Sequence, residues 1–453
     1  MKRILVLGAG QSSPYLVRHL LEAGPELWVE VADRDIDLAR ARVGGGERGE
    51  AVELDATDTE ALAAAIGRAD VVVNFLAPIF QAPVARICLD AGRSMVSASY
   101  RSPELWALDE AAREKGLVLA SELGLDPGLD HLSAQRLLAE VQAAGGKVES
   151  FYSYGSGVVD RATVPNPLGY AITWNPGNVV RAGAAGARFR EDGVTRLVPY
   201  PEVFRRTWPV EVPGEGRFEA YANRDSLPYA PLYALEGART LVRATLRHCG
   251  YCETWSAVVQ LGLTAETRIP GLAELRWGEL MECMLPPGSG HLDLRVAAHL
   301  RVHPSSRAVD NLRWLGLFGD ERIGDLPTVA EGLETPAEAM IALLRHRLEL
   351  PPGGRDLVIL HHVVSAKLPD GVRRRYTSTL VERGGTSGTA MARTVGLPAA
   401  LATLSILDGT FPVPGAPIPT DPRIVDRLLP AVEKAGMRFV ENAQALAEAG
   451  SAR

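Results

Sequence analysis

The chain has 453 residues, 46% hydrophobic and 23% charged, with 48 Lys and Arg against 55 Asp and Glu for a net charge of −7. That length calls for two or three cores. The mild acidic balance gives no footing for nucleic acid or an anionic membrane, so a small diffusible substrate is the expected partner. Four cysteines, Cys88, Cys249, Cys252 and Cys283, are too few for a disulfide framework. Cys249 and Cys252 lack the second pair that would complete a tetrahedral centre, and no metal is expected. No apolar run of about eighteen residues stands out, so no bilayer span and a cytoplasmic location are expected.

Ile4 to Leu7 form a short apolar run of the kind buried on both faces of a parallel sheet. Gly8-Ala9-Gly10-Gln11-Ser12-Ser13-Pro14 follows, with helical periodicity from Tyr15 to Ala23. This is G-x-G-x-x-S, a phosphate-cradling turn in which the first two glycines allow close backbone approach and a helix N-terminus supplies amides. Pro14 suits a first helical turn. A second strand, Leu27 to Ala32, ends in Asp33, whose carboxylate can accept from ribose hydroxyls and repel a 2′-phosphate. Arg34 beside it could instead pair with that phosphate. NAD is favoured, with NADP as the alternative.

The β/α alternation continues through a strand at 51–55, a helix at 59–68, strands at 70–76 and 94–99 with a helix at 83–91 between them, and a strand at 117–120. Such a pattern predicts an α/β fold, a Rossmann-type doubly wound parallel sheet. Asp55, Asn74, Leu76, Ser97 and Ser99 lie at or near strand ends, and with Leu125 they are the further residues expected beside a dinucleotide.

The run Ser121-Glu122-Leu123-Gly124-Leu125-Asp126-Pro127-Gly128-Leu129-Asp130-His131 concentrates carboxylates and a histidine where the first domain ends. Chemistry on a substrate meeting a nicotinamide is assembled at that edge, and Asp126, Asp130 and His131 are the candidate catalytic groups. Beyond it a mixed α+β domain is predicted, with strand-like alternation at 148–154 and at 356–364. The turn Pro369-Asp370-Gly371 and a strand at 375–380 then read as a hairpin. Arg243, Thr245 and Arg247 share a face if extended, and Arg243 and Arg247 still do if helical. Arginine forks suit a carboxylate substrate, although surface salt bridges would explain the same residues. Arg373 to Arg375 read as a solvated strand face. After Gly388 helices resume, with a proline-rich loop at 412–422, and the tail is expected to return to the first domain. The predicted division is 1–130 with 386–453 for the dinucleotide domain and 131–385 for the substrate domain.

The stretches VLGAGQSSP, VSASYRSPEL, SELGLDPGLDH, NPLGYAITWNP, ANRDSLPY, TLVRATLRHCGY and AMARTVGLPAALA, in this order, resemble the saccharopine dehydrogenase family, glutamate-forming branch. The resemblance implies a nicotinamide cofactor, an inserted substrate domain and homodimerisation. It also implies oxidation of a secondary amine joining lysine and glutamate, followed by imine hydrolysis to glutamate and 2-aminoadipate semialdehyde. It places Asp126 near the substrate amine, Arg224 and Arg247 on substrate carboxylates, and Ser99, Tyr100, Trp174 and Thr245 around the pocket. The family's SYCGG and LPAPE-type stretches are replaced by Ser153-Tyr154-Gly155-Ser156-Gly157-Val158-Val159-Asp160-Arg161-Ala162. Recognition of the glutamate half is therefore the part expected to differ. The alternatives are a dehydrogenase of another amino acid or opine-like conjugate, and a catalytically inert NAD(P)-binding sensor.

Overall fold

Ile4, Leu5, Val6 and Leu7 are buried to the last atom or nearly so, because β1 (Lys2–Leu7) is flanked on both sides by parallel neighbours. The computed structural model describes residues 1–182, 184, 186–329 and 332–446. Its residues cluster into two units, Met1–Val148 with the chain from His362 onward, and Glu149–His361.

In the first unit β1 is joined by β2 (Leu27–Asp33), β3 (Gly49–Glu53), β4 (Val71–Asn74), β5 (Ser94–Ser97) and β6 (Leu119–Ala120). All pair in parallel in the order β3-β2-β1-β4-β5-β6. Strand order reverses between β1 and β4, which is where such sheets open a crevice for a ligand. The crossover helices begin where short acids cap them: Asp35 accepts from Asp37 and Leu38, and Asp58 from Glu60 and Ala61. The predicted doubly wound sheet is present, its elements within a few residues of the expected limits.

The C-terminal chain does return to this unit. Helix Ala390–Leu407 packs on helix Pro14–Ala23 and on β4 and β5. A Cβ on Gly396 would lie 2.7 Å from the Leu16 amide nitrogen, so only glycine permits the approach. At 18 residues and mean hydropathy 1.4 this helix is long and apolar enough to cross a membrane, which corrects the expectation that no such stretch exists. Its apolar surface has a protein partner instead, as expected of a helix that is hydrophobic all round in a core.

The units divide at Val148/Glu149 and His361/His362 rather than at 130/131 and 385/386. The reason is packing: helix Leu129–Ala143 lies against helix Pro422–Lys434, and Arg136 pairs with Glu433 at 2.6 Å and Glu441 at 2.7 Å.

The inserted unit holds β7 (Lys147–Val159), β8 (Ala187–Glu191), β9 (Val194–Val198), β10 (Thr207–Val212), β11 (Gly216–Ala222), β12 (Arg224–Asp225), β13 (Thr240–Arg247) and the start of β14 (Asp356–Lys367). The sheet runs β10-β11-β13-β7-β14, with β8, β9 and β12 at the side. Helices between 251 and 347 bury Trp255 and Trp277. After His362, β14 turns at Pro369-Asp370-Gly371 into β15 (Arg373–Arg383), which pairs with β16 (Val440–Ala445). The predicted hairpin is thus formed, and Arg373 to Arg375 are exposed.

Candidate active site

The glycine loop fits a dinucleotide on protein grounds alone. Gly8 has φ +101°, and a Cβ there would meet the Phe75 carbonyl oxygen at 2.9 Å, so the turn requires glycine. At Gly10 a Cβ would meet no protein atom within 4 Å. Packing therefore does not demand glycine there, whereas close approach of a pyrophosphate would. Helix Pro14–Ala23 has no acid in its first turn, leaving its positive end for an anion. Gln11 is exposed, Ser12 is half-buried, and the buried Ser13 hydroxyl turns back to the Gly10 carbonyl at 2.8 Å. Ser13 thus tightens the loop.

The strand ends behave similarly. Asp33 accepts from the Ala9 amide at 2.7 Å and the Asp35 amide at 3.0 Å, tying β2 to the glycine loop. Arg34 is exposed and its charge reaches Asp55, whose carboxyl is held down mainly by the Thr57 amide and hydroxyl. Asn74 accepts from the Leu76 amide at 3.1 Å. Ser97 donates to Gln81 and accepts from the Ser99 amide. These residues shape the rim by bonding to the protein's own backbone and side chains.

Past β6 the chain makes an exceptionally tight loop. Gly128 has φ +145°, and a Cβ would fall 2.1 Å from the Gly124 carbonyl oxygen. Gly124 donates to Pro127 and Leu129 to Gly124, at 3.0 and 2.9 Å. Asp126, at the crest and half-buried, receives the Tyr100 hydroxyl at 3.4 Å. Leu125 is buried beside it. Asp130 and His131, both expected as catalytic groups, are 0% exposed, beneath the half-buried Asp126. Asp130 accepts from the Gly128 amide at 2.6 Å. His131 Nε2 lies 2.8 Å from Glu122 Oε2, and Glu122 Oε1 accepts the Arg101 amide at 3.0 Å. Buried polar groups this well bonded fix a loop in place. Glu122 was missed as a candidate; its signal was a carboxylate in the same motif, at the end of β6, with φ +60°.

In the inserted unit Arg243 to Arg247 are extended on β13, so Arg243, Thr245 and Arg247 share a face. Arg247 is 5% exposed. Its guanidinium carbon sits 5.1, 5.8 and 5.2 Å from the ring centres of Tyr170, Tyr221 and Tyr251. Burial works against its charge, but the three phenols outweigh it and its pKa is raised. Among the described residues no carboxylate pairs with it, and its Nε has no partner. Trp174 joins the cage by donating to the Tyr170 hydroxyl at 2.9 Å, and Thr245 pairs across from Tyr221. Arg243 is buried under Tyr229 at 4.2 Å. Arg224, with φ +53°, is exposed on β12 beside β8. The substituted stretch 153–162 is strand as far as Val159, not loop, and Gly155 stands opposite Thr245. The change from the family pattern therefore falls on the face that carries Arg247. The three tyrosines were not foreseen, because they come from a loop, a strand and a helix that only the fold unites.

Two family models match the chain. The saccharopine dehydrogenase NADP binding domain covers residues 4–119 and the saccharopine dehydrogenase C-terminal domain covers 124–437. The saccharopine dehydrogenase (NADP(+), L-glutamate-forming) of Pyricularia oryzae is 33% identical, over 97% of this chain and 98% of its own. That of Saccharomyces cerevisiae is 31% identical, over 94% and 96%. The mitochondrial alpha-aminoadipic semialdehyde synthase of Bos taurus is 30% identical over 97% of this chain but 47% of its own. Among solved structures, apo saccharopine dehydrogenase (L-Glu forming) from Saccharomyces cerevisiae superposes with a TM-score of 0.87 at 30% identity, covering 98% of this chain and all of that one. With a dinucleotide domain, an inserted sheet domain and these matches along its length, the chain belongs to the saccharopine dehydrogenase family.

Proposed function

We infer that the protein oxidises the secondary amine of saccharopine, releasing glutamate and 2-aminoadipate semialdehyde, with a nicotinamide dinucleotide as oxidant. The observation that carries this reading is Arg247: a buried guanidinium without a carboxylate partner is costly, and a substrate carboxylate would satisfy it with two parallel bonds. The loop from Gly8 to Ser13 would hold the pyrophosphate, and the bound cofactor would accept the hydride. A secondary ammonium must lose its proton before that transfer. Asp126 is the partly exposed carboxylate at the loop crest and is assigned to the substrate amine, with Tyr100 orienting it. Asp130, His131 and Glu122 hold that loop. Trp174 and Thr245 line the Arg247 cage, and Arg224 is assigned to a second carboxylate.

The relatives' names carry NADP(+); Asp33, an acid at the end of β2, is what turns the reading of this chain toward NAD, with NADP accepted through Arg34. The protein is further read as a cytoplasmic homodimer. Four free cysteines suit a reducing compartment, and the exposed Val194 and Leu197 of β9 suit a covered edge. The decisive experiment supplies saccharopine with NAD or NADP and follows reduced cofactor and glutamate together. Turnover of another N-linked amino acid but not saccharopine would favour the related-conjugate reading, which the Gly155 substitution motivates. Cofactor binding without turnover of any would sink the enzymatic reading.

A further inference from the structure

The sheet of the inserted unit has two faces, and only one carries Arg247. The register pairs Val242 with Tyr152 and Ala244 with Tyr154, so these residues point away from the Arg243, Thr245 and Arg247 side. On that other face lies a cavity of about 530 Å³ whose walls include Tyr152, Tyr154, Trp208, Glu191, Arg196 and Arg206. Its size suits a small molecule.

The aromatic wall is held before any ligand arrives. The rings of Tyr152 and Tyr154 lie 6.0 Å apart and 4° from parallel. The Trp208 indole donates to the Tyr154 hydroxyl at 3.2 Å, and His361 stacks on Tyr154 at 6.1 Å. The charges do not balance. Arg196 pairs with Glu191 at 3.3 Å, while exposed Arg206 pairs with no acid among the described residues. The lining therefore carries one cation in excess beside a flat aromatic surface.

We propose that this cavity is a second binding site, specific for a planar aromatic monoanion of the aryl or indolyl carboxylate class, with its ring against Tyr152 and Trp208 and its carboxylate on Arg206. Ring stacking supplies the area and the unpaired guanidinium selects the charge. The site is separate from the Arg247 cage because the sheet stands between them.

The test uses the full chain and isothermal titration calorimetry with indole-3-acetate. One-to-one binding is expected, with tryptamine, the same ring bearing a cation, at least about tenfold weaker. Arg206→Ala should weaken indole-3-acetate binding by about 10- to 100-fold, as loss of a charged hydrogen bond does, at an unchanged melting temperature since the side chain is exposed. Trp208→Leu should weaken it as well, and Arg247→Met should leave it within about twofold. No binding at millimolar concentration, equal binding of tryptamine, or indifference to Arg206→Ala would overturn the proposal. Loss in Arg247→Met alone would also overturn it, by placing the ligand in the substrate cage. None of these readouts depends on saccharopine turnover.

Discussion

On the reading proposed above, the two units would recognise ligands in contrasting ways. In the dinucleotide unit the side chains are spent on the protein itself: Asp33 binds loop amides, Ser13 binds Gly10, Asn74 binds Leu76. A dinucleotide would be left a surface of glycines and helix amides. In the inserted unit the backbone is consumed by the sheet, and on that reading recognition would fall to one buried side chain, Arg247, within three tyrosines. A backbone site tolerates many side chains but few changes of Cβ. A side-chain site tolerates neither loss of the key group nor loss of its cage.

That contrast can be broken most severely at Gly128. Gly128→Ala puts a methyl within van der Waals overlap of Gly124 and strains φ, and should cost about 4 kcal/mol or more of stability. A melting temperature within a degree or two of wild type would show that the loop has room to shift. Next, Arg247→Met should lower kcat/KM for saccharopine by about 100-fold, near 3 kcal/mol, while leaving the cofactor dissociation constant unchanged. Equal losses of cofactor and substrate affinity would dissolve the distinction between the two sites.

His361 tests the inserted unit by pH. Burial pushes its pKa down to about 4 from 6.5, so the unfolded chain binds its proton more readily than the folded one. The neutral ring's contribution is complete above pH 6.5 and is lost as pH falls from there toward 4, by no more than about 3 kcal/mol. Denaturant titrations across that range should show the slope, and His361→Phe should flatten it. The smallest expected effect is at Asp33. Asp33→Ser should shift the ratio of kcat/KM for NAD over NADP about tenfold toward NADP, since one carboxylate contact and one repulsion are removed. An unchanged ratio would confine Asp33 to its role in bracing the loop.

The same contrast explains what could be read from the sequence. Helix Thr59–Arg68 was legible to the residue because Asp58 caps it and apolar spacing continues through it; the glycine loop was legible because its requirements are local. Arg247 could be singled out on β13, but not its cage, since Tyr170, Tyr221 and Tyr251 share no periodicity with it. Asp130 and His131 were visible as titratable groups, but their complete burial is a property of packing. The boundary at Val148 was missed because helix Leu129–Ala143 follows the loop without a break in composition, and only its contacts with Arg136's partners assign it to the first unit.

Because helix Ala390–Leu407 lies on helix Pro14–Ala23, with Gly396 against Leu16, the dinucleotide unit is not finished until chain beyond residue 407 has left the ribosome. Glu149–His361 is synthesised whole before that. Domains fold as units while the chain is being made, so the inserted unit can mature first, while the half-built parallel sheet waits with the core surface meant for Gly396 and its neighbours still uncovered. A chain that ended between residues 361 and 390 would therefore keep the inserted unit whole and leave uncovered the N-terminal face, the part of the protein that was made earliest.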